Sequence, residues 1–114
     1  MEKATNYRIV FVTTKSYENA YQIAKILVSE NIAACVSIVQ NLISVFGWQN
    51  AIQERHEMLM MIKTSAEKLE LIENRVTELH TDEVPEIISV ELDRGNAPYL
   101  EWMQQVLQIN NQIK

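Results

Sequence analysis

AACVSIVQNLISVFGWQNAIQERHEMLMMIKT, Ala33 to Thr64, is the stretch whose reading decides the fold. Ala33 to Phe46 and Ile52 to Thr64 are two β-rich runs. The segment Gly47-Trp48-Gln49-Asn50-Ala51 between them holds Gly and Asn, which accept the positive φ of a turn. The stretch therefore predicts a hairpin, with arms about twice the usual strand length of five or six residues. Arms of that length overhang the core of a small domain. Neither contains a Pro to blunt its edge, so the ribbon is expected to pair with sister chains and make a homo-oligomer.

On the amino-terminal side, Tyr7 to Thr14 is β-branched and aromatic with a continuous apolar centre, the pattern of a strand covered on both faces. Ser16 then offers an N-cap, and Ala20, Ile23, Ala24, Leu27 and Val28 recur at helical spacing until about Asn31. On the carboxyl-terminal side, Thr64-Ser65-Ala66-Glu67 has capping-box spacing, and Leu69, Ile72, Val76 and Leu79 mark a second helix ending near His80. Pro85 breaks the chain before a strand over Glu86–Leu92, and Asn96 with Pro98 opens a third helix that turns Leu100, Met103 and Leu107 inward. The resulting order is an α+β, ferredoxin-like βαββαβ sandwich with an extended hairpin and an extra C-terminal helix. It is expected to form one domain over 1–114, ordered from about Tyr7 to about Ile109.

Composition excludes some functions. The net charge is −5 and the ten Lys and Arg are scattered, which argues against a nucleic-acid partner. Met1 to Asn6 lacks the apolar core of a signal peptide, and the aliphatic stretches are too short to span a bilayer, so a cytoplasmic protein with no membrane contact is expected. The single Cys35 fits a reducing compartment.

HExxH, CxxC, GxGxxG and P-loop patterns are absent from the sequence, and with two His there is no acid-base pair at a defined spacing; a non-enzyme without an organic cofactor is expected. The most chemically loaded stretch is His80-Thr81-Asp82-Glu83-Val84-Pro85-Glu86, whose nitrogen and oxygen donors suit copper(II) or another divalent cation. The same residues also make an ordinary solvated helix end, with His80 favoured at the negative end of the dipole. Cys35 reads as a small buried hydrophobe, or as a thiophilic-metal ligand if exposed. His56 reads as a surface group, and Met58, Met60 and Met61 as core. Glu57 and Lys63 share one side of the sheet by strand alternation, making either a rim ion pair or an anion-binding lysine in a cleft between subunits. Trp48 at the hairpin tip, with Tyr99 and Trp102 on the last helix, are expected interface anchors.

The chain resembles the CutA divalent-cation-tolerance proteins. The resemblance rests on Ala33-Ala34-Cys35-Val36-Ser37-Ile38, Ser44-Val45-Phe46-Gly47-Trp48, Glu57 with Lys63-Thr64, His80 with Val84-Pro85-Glu86-Ile87, and Gly95-Asn96 with Tyr99-Leu100 and Trp102, in family order. It implies a homotrimer with paired hairpins, a cleft at each boundary lined by Trp48, Glu57, Lys63, Tyr99 and Trp102, and copper tolerance through metal binding. The family's cysteine and histidine fall on Cys35 and His80, with Asp82, Glu83 and Glu86 as further ligands. Thr81-Asp82 stands where the family has Pro-Tyr, and Val12 where some members carry a second cysteine. Two other roles are compatible with a trimer of this fold: a small-molecule sensor resembling the P-II signal proteins, with its ligand in the cleft, and a scaffold for an unknown protein partner.

Overall fold

The computed structural model describes residues 1–107. The elements run β1 (Glu2–Lys3), β2 (Tyr7–Thr14), α1 (Tyr17–Ser29), β3 (Cys35–Trp48), β4 (Ala51–Ser65), a 3-10 turn (Ala66–Lys68), α2 (Leu69–Leu79), β5 (Ile87–Glu91), β6 (Arg94–Gly95) and α3 (Ala97–Leu107). The main sheet is antiparallel in the order β3-β4-β2-β5, the arrangement expected of a ferredoxin-like fold. The amino terminus is ordered earlier than Tyr7: β1 pairs with β6, and Ala4 is buried with its N–H on the Asp93 carbonyl. The expected order at Gln108 and Ile109 lies outside the described residues.

Alternation in β2 and β4 divides the sheet into two faces. On one, Val10, Val12, Met60 and Ile62 pack against Ile23, Leu27, Ile72 and Val76 of α1 and α2. Each such fully buried side chain contributes about 1.5–3 kcal/mol. On the other face, α3 covers only one end, where Met103 and Leu107 meet Tyr7 and Ala34. Beyond it lie Ile9, Phe11, Leu59 and Met61, with Val39, Ile88 and Val90 exposed.

The hairpin is longer than the sheet that roots it. β2 stops at Thr14, opposite Met58, while Leu42–Trp48 and Ala51–Glu57 continue as a two-stranded ribbon of seven pairs, ~23 Å long. The radius of gyration is 15.2 Å, against about 13 Å for a compact chain of this size. The turn is tighter than the expected five residues: Gly47 and Ala51 remain in the strands, and Gln49 and Asn50 carry the positive φ values, 52° and 65°, of a primed two-residue turn. A bulge between Val39 and Leu42, with Asn41 at φ 66°, shifts the register by one residue where the ribbon leaves the sheet.

Local caps explain most boundaries. The Ser16 hydroxyl accepts from the Asn19 N–H at 3.1 Å, and Asn31 takes φ 59° just past α1. The expected capping box at Thr64 does not form. Thr64 stays in β4 and donates its hydroxyl to the Ile32 carbonyl at 2.6 Å, and α2 begins after the 3-10 turn without a side-chain cap.

Candidate functional site

Two polar constellations stand on β4, separated along it by the apolar Leu59 and Met61. The first lies at the root of the ribbon. Glu57, 4% exposed, accepts from Arg55 Nε at 2.9 Å and from the Ser44 hydroxyl at 2.5 Å. Arg55 also donates to Asp82 at 2.7 Å, and Lys15 stands 3.4 Å from the same carboxylate. Burial pushes the Asp82 pKa up, but the Arg55 hydrogen bond and charge outweigh it, with Lys15 and His80 adding, and hold the carboxyl below its ordinary 3.8.

His80 ends α2 in extended backbone and is 9% exposed. Its Nε2 lies 2.7 Å from the Thr13 carbonyl, which can only accept, so the proton is on Nε2; Nδ1 accepts the Asp82 N–H at 2.9 Å. Both ring nitrogens are thereby engaged. Asn19, buried on α1, completes the support by donating to the Leu79 carbonyl at 3.0 Å and accepting from the Thr81 N–H at 3.3 Å. His80 and Asp82 thus tie the α2 end to β2 and β4, while Glu83 and Glu86 face solvent.

The second constellation lies at the other end of β4. Cys35 pairs with Lys63 across the strands, and Lys63 Nζ donates to the Ser37 hydroxyl at 2.6 Å and stands 3.7 Å from Cys35 Sγ. Burial raises the Tyr99 phenol pKa, and the neighbouring Cys35 raises it further. Tyr99 and Trp102 lie against each other with ring centroids 5.6 Å apart. Both rings are about two-fifths exposed, at 40% and 43%.

The expected metal set does not assemble within one chain. Thr13, which holds His80, lies opposite Leu59, four residues or ~13 Å along β4 from the Lys63 that faces Cys35. Among the described residues no three His, Cys, Asp or Glu side chains converge as a bound ion requires. The donor chemistry agrees: His80 has no free nitrogen, and Asp82 is committed to two cations. The expected cleft set divides as well. Trp48 is at the ribbon tip, Glu57 belongs to the Arg55 network, and Lys63 meets Ser37 and Cys35, with the Tyr99–Trp102 pair on the Cys35 side; Glu57 and Lys63 share a face, as expected, but form no ion pair. Cys35 is partly exposed rather than buried. Sequence reasoning missed Asn19, Arg55, Ser44 and Ser37; only Ser37 had a usable signal, since the hairpin register places it beside Lys63.

A four-stranded antiparallel sheet with two helices on one face, a third across one end of the other and a projecting β-ribbon defines a class of α+β proteins with an unfinished second face. Within it, the model of the CutA1 divalent ion tolerance protein family matches residues 8–106, and the chain belongs to that family. It is 40% identical over 97 residues to the divalent-cation tolerance protein CutA of Thermus thermophilus, covering 85% of this chain and 94% of that protein. The solved Thermus structure matches with a TM-score of 0.82 at 41% identity, over 84% of this chain and 93% of that one. The Archaeoglobus fulgidus structure, named a periplasmic divalent cation tolerance protein, matches with a TM-score of 0.86 at 31% identity, over 89% and 98%. Human CutA is 38% identical over 96 residues, 84% of this chain; the chain spans 54% of the human protein's length.

Proposed function

We propose that the chain serves divalent-cation tolerance as a homotrimer in the cytoplasm, with its ligand sites in clefts where one chain covers the bare sheet face of the next. The observation that carries this is the face formed by Phe11, Leu59, Met61, Ile88 and Val90, which runs on into the Leu42, Phe46 and Trp48 side of the ribbon, while the ribbon's other side exposes Ile43, Val45 and Ile52. An apolar surface of this kind on a small domain is an interface. No helix among the described residues is long and apolar enough to cross a membrane.

Copper(II) is the cation to test first. Calorimetric titration of copper(II) and zinc(II) into the assembled protein, alongside Phe11→Glu and His80→Ala, checks the role. Saturable binding that is lost when Phe11→Glu splits the assembly supports sites between chains; no saturable heat with either ion, or full binding by a monomer, contradicts them. A second reading, a small-molecule sensor, is favoured by one observation: Lys63 at the edge of the bare face has a hydroxyl and a thiol beside it rather than a carboxylate.

A further inference from the structure

The geometry points to a binding site for the carboxylate of a small organic acid, formed by Lys63, Ser37 and Tyr99, with Trp102 as a wall for the acid's apolar body. The inference rests on the sensor reading above and gives it a ligand class.

Charge comes first. Arg8, Lys15, Arg55 and Arg75 all lie within 4.0 Å of carboxylates, and the buried Lys68, which has none among the described residues, gives its ammonium to the Asn31 carbonyl at 2.8 Å. Lys63 is partly buried, yet among the described residues no carboxylate lies within that reach of its ammonium. Its cross-strand neighbour on β2 is Ile9, which faces Val90 on β5, so the charge borders the bare apolar face. Covering that face removes water from the ammonium without supplying a counter-charge from its own chain. A buried charge left in that state is costly unless it is paired.

Donor geometry comes second. The ammonium has three N–H donors, of which Ser37 takes one at 2.6 Å and the Cys35 sulfur, at 3.7 Å, engages another weakly. Ser37 accepts in that contact and keeps its own O–H to give. Tyr99 brings a phenolic O–H to the same Cys35 neighbourhood. Lys63 and Ser37 therefore each keep a proton to give to the two oxygens of a carboxylate, with a single positive charge, and the Tyr99 phenol stands beside the neighbouring Cys35. One charge matches a monocarboxylate. Polyphosphates call for Arg clusters or a glycine-rich backbone cradle, and the chain has two Gly, one in the ribbon and one packed under Leu100. The half-exposed Trp102 ring, tilted against Tyr99, offers an aromatic surface for a flat acid.

The experiment uses benzoate as the probe, with benzamide and inorganic phosphate as controls, read by thermal shift and by Trp fluorescence. Oligomeric state is measured in parallel by sedimentation. Benzoate is expected to bind saturably and raise the melting temperature, benzamide and phosphate to do neither. Lys63→Met keeps the apolar stem and is expected to weaken benzoate about tenfold or more; Tyr99→Phe keeps the ring and is expected to weaken it by a smaller factor. Absence of saturable benzoate binding by an assembled protein, equal binding of benzamide, or an unchanged Lys63→Met each overturns the site. A monomeric protein that still binds benzoate through Lys63 keeps the site and removes only the assembly.

Discussion

Val12 and Phe11 are adjacent in one strand and both apolar, yet Val12 is fully buried while Phe11 lies on a face that α3 covers only at one end. The same split runs through β4, where Met60 and Ile62 sit under α1 and α2 and Leu59 and Met61 do not. A strand apolar on both sides needs two covers. This chain supplies helices for one, and the second face with its ribbon has the composition of a core without the cover. The difference between the faces is therefore between one that a single chain completes and one that it leaves open, which the proposed assembly would complete.

Five perturbations would break or sharpen that contrast. The largest effect belongs to the finished face: Met60→Ala should cost about 2–5 kcal/mol at every protein concentration in urea unfolding, because the cavity is within one chain. Phe11→Glu on the other face should instead make the melting temperature independent of protein concentration while far-UV circular dichroism is retained. Next, Arg55→Met strands the buried Glu57 carboxylate with only Ser44 as a hydrogen-bond donor and should cost about 1–3 kcal/mol in the same unfolding measurement.

Asp82 gives a smaller, pH-dependent effect. Its folded pKa is below the ordinary 3.8, so its stabilisation is fully present above 3.8 and is lost as pH falls through the lower folded value. Thermal melts of wild type should therefore fall more steeply with acidification below 3.8 than those of Asp82→Asn, which has no carboxyl to protonate. Smallest of all, Gln49→Asn with Asn50→Gly should stabilise by about 1 kcal/mol in thermal melts, by relieving side chains of φ 52° and 65° at the turn.

The element order and the long hairpin were legible because apolar runs, Ser16 and Pro85 each fix a boundary locally. The bulge was not, although the polar pair Gln40-Asn41 inside an apolar strand was its trace. The Thr64 capping box failed because Thr64 stays paired with Arg8 inside β4, so its hydroxyl meets the Ile32 carbonyl and not the N–H groups of a helix that begins only at Leu69. His80 and Asp82 were legible as a chemical cluster but not as a structural one: Arg55, 27 residues from Asp82 in sequence, decides what that carboxylate does. Lys63 was legible as either a rim ion-pair partner or an anion-binding lysine, and the hairpin register carried the signal for its partner Ser37.

Amide hydrogen exchange of the ribbon tests the central claim most directly. An isolated two-stranded ribbon is marginal in water and opens readily. If sister chains pair with it, the amides of Leu42–Trp48 and Ala51–Glu57 should exchange at micromolar protein as slowly as those of β2. Exchange there at the rate of an unstructured peptide, with β2 still protected, would contradict the account.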